Sequence, residues 1–146
     1  MNHPRVDLIA AFQATIPALL LFLLIDAGVE KLAVSLTGTS VVATFEKMHG
    51  APFGAGFHLV NLLLFFGEMY LVMLFFGLVR LRFPLGIGAV MITSAFFLIF
   101  LGLFLGQMIN LGIYPKTTGA VFLLSSVVAF PPSVLLGAFV YDWRAR

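Results

Sequence analysis

The sequence predicts an all-α polytopic membrane protein: a bundle of four transmembrane helices with a short outer interfacial helix. Three observations carry this. Of 146 residues, 62% are hydrophobic and 10% charged, with a mean hydropathy of +1.14, whereas soluble domains run at about 45–50% apolar and about 25% charged. Four apolar stretches recur at the roughly 20-residue length that a ~30 Å hydrocarbon core demands. The basic residues, finally, segregate by type between the two ends of those stretches.

The first apolar stretch begins at Leu8, stays apolar to Ile25 and continues as helix to about residue 34. Its apolar core is longer than the roughly 7–15 residues of a secretory signal peptide, which favours a retained span. The others cover about residues 56–79, 84–108 and 118–140, as one membrane domain over 1–146. Backbone groups in lipid must pair internally, so each is expected to be a helix. Between the first two spans, Val41, Val42, Phe45 and Met48 recur at helical spacing with Glu46, Lys47 and His49 among them. That pattern fits a short amphipathic helix on the interface, ended by Gly50 and Pro52. Pro131-Pro132 predicts a kink in the fourth span, with Ser125, Ser126 or a neighbouring helix satisfying the freed carbonyls. Gly102 and Gly106 form a GxxxG in the third span, a spacing that permits close helix approach.

Arg5, Arg80, Arg82, Arg144 and Arg146 fall on one side of the predicted topology, and Lys31, Lys47 and Lys116 on the other. The positive-inside rule then places both termini in the cytoplasm, as in a bacterial-type inner membrane. The small net charge of +2 reads as topology, and nucleic acid is not an expected partner. Membrane lipids are, and so are other membrane subunits.

Conventional chemistry is sparse. No cysteine is present, which removes thiolate metal sites and thiol relays from this chain. Only His58, of His3, His49 and His58, lies near a span, short of the two imidazoles at membrane depth that a b-type heme needs. Met69 and Met73 read as core or lipid contacts before copper ligands. No metal site and no intrinsic cofactor is predicted, although a quinone, lipid or pigment held by apolar contacts alone would leave almost no motif.

Two polar features stand out. Glu68 is a lone carboxylate inside the second span, where a charged acid costs roughly 2.5–3.5 kcal/mol on insertion scales and ordinarily finds a partner. It reads either as an acid bonded to a carbonyl or to Gln13, Gln107 or Asn110, or as a proton or head-group site. Asp26, Glu30 and Lys31 cluster at the end of the first helix, with Asp26 and Glu30 on one face. They read either as the solvated end of a helix or as a polar cluster that engages Glu68, from which Asp26 is offset by roughly 8–10 Å along the membrane normal.

Some of these residues resemble the DoxX-like family of small four-helix membrane proteins. Gly28-Val29-Glu30-Lys31-Leu32 is similar to its Gly-x-x-Lys-Leu, Gly50-Ala51-Pro52 to its loop turn, and Glu68, Gly77 and Arg80 or Arg82 to its second-helix pattern. The resemblance covers roughly residues 27–82; the second half is similar in hydropathy and topology. It implies an inner-membrane protein associated with redox enzymes, in some cases similar to the small subunit of a thiosulfate:quinone oxidoreductase, with Glu68 and Lys31 as positions to test.

The leading expectation is a subunit, not catalytic on its own, that anchors or stabilises a larger membrane redox or energy-converting complex. The alternatives are a DoxX-like component of a quinone-linked oxidoreductase with Glu68 as its proton or head-group site, and a small transporter component using Asp26, Asn61, Glu68 and Gln107.

Overall fold

The computed structural model describes residues 6–38, 40–83 and 86–145. His3, Arg5 and Arg146, along with Pro84 where the third span was expected to begin, lie outside them. The described residues form five helices and no strand: α1 (Leu8–Thr37), α2 (Val41–His49), α3 (Ala55–Arg80), α4 (Gly86–Asn110) and α5 (Lys116–Arg144). All but α2 are long and apolar enough to cross a membrane.

The helix ends follow local chemistry. Asp7 caps α1, its carboxylate accepting from the backbone N–H groups of Ile9 and Ala10, each at 2.9 Å, which satisfies donors that the first helical turn leaves free. Ser40 caps α2 by accepting from the Ala43 N–H at 3.2 Å. The predicted amphipathic segment is therefore a helix, and Gly50 ends it in the left-handed conformation at φ 81°, which glycine adopts without steric cost.

α1, α3, α4 and α5 close a ring in which α1 packs against α3 and α5, and α4 packs against α3 and α5, with α1·α5 the most extensive contact. Where α1 meets α5 the size pattern is inverted relative to a soluble bundle, whereas α3 buries Met69, Val72, Met73 and Phe76. Small side chains face inward, with Ala10, Ala11, Ala14 and Ala18 on α1 and Ala129, Gly137 and Ala138 on α5. Large ones such as Leu20, Leu24, Leu63, Ile87, Ile99 and Phe139 face out. Association inside a bilayer is driven by close backbone approach, not by apolar burial, so this is the expected arrangement. A Cβ on Gly137 would stand 2.5 Å from Met73 Sδ and 3.0 Å from Ala18 Cβ, placing three helices in contact at one point.

α5 continues unbroken through Pro131 and Pro132. The serines do not satisfy the carbonyls those prolines free. Ser126 donates to the Phe122 carbonyl at 2.9 Å and Ser133 to that of Ala129 at 2.7 Å, while Ser125 turns towards α1. A hydroxyl in a helix reaches back to its own i−4 carbonyl more readily than forward.

One end of the bundle is clasped near the chain termini. The Tyr141 hydroxyl accepts from the Asp7 N–H at 3.0 Å, and Arg80 Nε pairs with Asp142 Oδ1 at 3.1 Å. α3 reaches α5 here because position 77 is glycine: a Cβ would stand 2.7 Å from the Tyr141 hydroxyl oxygen. We call this the terminal end and the opposite one the α2 end.

Candidate functional site: an aromatic cavity with one carboxylate

A cavity of about 500 Å³ lies between α3, α4 and α5, with Leu19 and Phe22 of α1 and Phe45 of α2 completing its wall. The volume falls within the roughly 300–1,000 Å³ of small-molecule sites. Eight phenylalanines line it: Phe22, Phe45, Phe65, Phe97, Phe100, Phe104, Phe122 and Phe130. On α5 the lining side chains Thr118, Phe122, Ser126 and Phe130 recur every four residues, with Gly119 beside the first, a spacing that a helix presents as one slowly turning stripe. From Thr118 to Phe130 that stripe runs about 18 Å.

The rings form a connected frame. Phe22 meets Phe65 at 6.3 Å and Phe130 at 6.4 Å, and Phe97 meets Phe130 at 6.0 Å. At the α2 end, Phe45 stands edge-on to Tyr114 at 5.1 Å, so α2 and the α4–α5 turn roof the cavity together. Leu71 of α3 and Phe100 and Phe104 of α4 line the cavity yet are also exposed. The opening is therefore sideways, between α3 and α4, towards hydrocarbon.

Among the described residues, Glu68 is the one acidic side chain in the lining, and no Lys, Arg or His accompanies it. It occupies the middle of α3, 13 residues from Ala55 and 12 from Arg80, or about 18–20 Å from either helix end. It lines the cavity and is exposed, and among the described residues it has no hydrogen-bond or ion-pair partner. Of the two readings of Glu68, the bond to a carbonyl, Gln13, Gln107 or Asn110 does not form among the described residues. A second polar atom in the wall also lacks a partner: Thr118 Oγ1, on a side chain only 1% exposed.

The other predicted polar residues go elsewhere. Asp26 accepts a hydrogen bond from Ser125 Oγ, joining α1 to α5, and neither residue lines the cavity. It sits one turn beyond Phe22 towards the α2 end and does not meet Glu68, so the cluster engaging Glu68 does not form. Glu30 Oε1 accepts from Ser40 Oγ at 3.1 Å and from the Val42 N–H at 3.4 Å, tying the end of α1 to the start of α2. Lys31 is exposed and makes no ion pair among the described residues. Asn61 and Gln107 do not line the cavity. Gly102 and Gly106 are half-buried, but nothing stands within 4 Å of where a Cβ would be on either, so the GxxxG is not used inside this bundle.

Sequence reasoning found Glu68 but not its surroundings. The missed signal was the four-residue alternation of hydroxyl and phenyl groups from Thr118 to Phe130, opposite Phe97, Phe100 and Phe104. Ser125, 99 residues from its partner Asp26, left no local trace.

The fold defines the class: an integral membrane protein built on four transmembrane helices. Beyond the class, no family model, no curated protein and no solved structure matches the chain. The resemblance to DoxX-like proteins thus rests on the motif residues alone.

Proposed function

We propose that this chain is a small membrane subunit that holds a lipid-soluble, amphipathic molecule, its polar head at Glu68 and its apolar body along the phenylalanine frame. The observation that carries the reading is an open intramembrane cavity whose one carboxylate has no partner of its own. An acid at membrane depth ordinarily pairs with another group or marks a ligand path, and the described side chains supply no pair. A quinone is one chemistry that suits the site, its carbonyl or hydroxyl bonded to Glu68. Redox turnover would then belong to a larger complex that this subunit serves, which is also what the DoxX-like resemblance implies. Arg80, Arg82 and Arg144 at the terminal end support a bacterial-type inner membrane with both termini cytoplasmic.

The test is solvent extraction of the purified protein followed by mass spectrometry. A stoichiometric lipid-soluble compound should accompany the wild-type chain and be lost from Leu101→Trp, which places an indole inside the lining. Equal recovery from both proteins would refute the reading.

A specific observation also favours an anchoring role: the unused GxxxG of α4, where a helix from another subunit can approach the backbone closely. Pulldown from native membranes should recover a stoichiometric partner with the wild type and lose it with Gly102→Leu. A lone four-helix protein in both eluates would end this second reading.

A further inference from the structure

The chemistry of the cavity narrows its occupant. We infer that the site takes a hydrophobic monocation, an alkyl- or arylammonium or a phosphonium, with its charge at Glu68 and its apolar groups among the rings. This rests on the proposed ligand-holding role and names the class of ligand.

Three observations converge. The lining carries one acid and no base, so its formal charge is −1 whenever Glu68 is ionised, with no internal cation to balance it. An apolar site favours the ionised form of a lone carboxyl only when a cation sits beside it, and a monocation supplies that balance where a neutral ligand does not. The rest of the wall is dominated by phenyl rings, whose faces attract cations through the ring quadrupole and whose bodies accept apolar substituents. Neither feature helps an anion. Access, finally, is from hydrocarbon between Leu71 and Phe100–Phe104, so the cation has to be hydrophobic enough to arrive through the bilayer.

Depth separates two sources of the same chemistry. An amine-bearing phospholipid keeps its head group at the membrane surface. Glu68 lies 12 residues from the nearer end of α3, about 18 Å along the helix. The position suits a free hydrophobic cation and not a lipid head group. Thr118, whose hydroxyl is buried and unpartnered, marks the α2 end of the α5 stripe.

The test uses the full chain in phosphatidylcholine nanodiscs, with and without phosphatidylethanolamine, and equilibrium dialysis against radiolabelled tetraphenylphosphonium. Triphenylphosphine oxide serves as the neutral counterpart, and empty discs are subtracted. The inference predicts saturable one-to-one binding of the phosphonium, weakened at least tenfold by Glu68→Gln and largely kept by Glu68→Asp. It further predicts that the oxide binds more weakly and is indifferent to Glu68→Gln, that phosphatidylethanolamine does not compete, and that Leu101→Trp blocks both probes. If the two probes bind alike and Glu68→Gln changes neither, the cation inference is overturned while the cavity reading stands. If phosphatidylethanolamine displaces the phosphonium, a lipid head group is the occupant and the inference fails. If neither probe binds, the cation inference is overturned, and the cavity reading then stands or falls on the extraction experiment.

Discussion

Gly137→Ala is the sharpest test of the packing that positions the cavity wall. The added methyl carbon would stand 2.5 Å from Met73 Sδ, 3.0 Å from Met73 Cε and 3.0 Å from Ala18 Cβ. Met73 is 0% exposed, so its side chain has no outward escape, and the Ala18 Cβ is fixed to the α1 backbone. Relief therefore requires α5 to retreat from α1 and α3 together. Overpacking of this kind costs about 1–3 kcal/mol, a roughly five- to 150-fold drop in the folded-to-unfolded ratio. The assay is unfolding in mixed micelles, titrating a denaturing into a mild detergent and following helicity and migration. Gly102→Ala is the control, because its Cβ would meet nothing within 4 Å, so that only the helix-propensity gain of about 0.5–1 kcal/mol is expected. If Gly137→Ala unfolds with or after the wild type, as Gly102→Ala should, the close contact of α1, α3 and α5 at this point is wrong.

Ser125→Ala removes the hydroxyl that Asp26 accepts from and should lower stability by about 1–3 kcal/mol in the same assay; an unchanged midpoint would mean that the bond does not join α1 to α5. At the terminal end, Gly77→Ala should destabilise through its clash with the Tyr141 hydroxyl at 2.7 Å. Tyr141→Phe should cost about 0.5–1.5 kcal/mol alone yet recover part of the Gly77→Ala loss, so the double mutant should fall short of the sum; strict additivity would contradict the contact. Glu30→Ala frees Ser40 and Val42. Hydrogen exchange across 41–45 should then quicken by roughly two- to tenfold while α3–α5 stay protected, and unchanged exchange would remove Glu30 as the tie on α2.

The fold was legible because membranes leave few options. The apolar run from Leu8 fixed a span, and the alternation of Val41, Val42, Phe45 and Met48 with charged residues fixed α2, which spans Val41–His49. The interior of the bundle was less legible. Gly102 and Gly106 announced themselves by spacing but meet no neighbour, while Gly119 and Gly137, which no motif marks, and Gly77, marked only by the family resemblance, make tight approaches. Spacing along a helix says which residues share a face, and not which face meets another helix. Glu68 stood out because an acid in hydrocarbon is costly. That it lines a cavity while Asp26 turns to Ser125 depends on how α3 and α1 are rotated about their axes, which a nearly uniformly apolar helix surface does not encode.

The central claim is that a lipid-soluble molecule occupies the space between α3, α4 and α5. Its most direct measurement is photolabelling in native-like bilayers with a diazirine-bearing hydrophobic amine, with adducts mapped by mass spectrometry. The account predicts saturable labelling concentrated on cavity residues such as Phe65, Leu101, Phe104 and Phe122 and abolished by Leu101→Trp. Labelling spread over outward residues such as Leu63, Ile87 and Phe139, unsaturable and indifferent to Leu101→Trp, would contradict it.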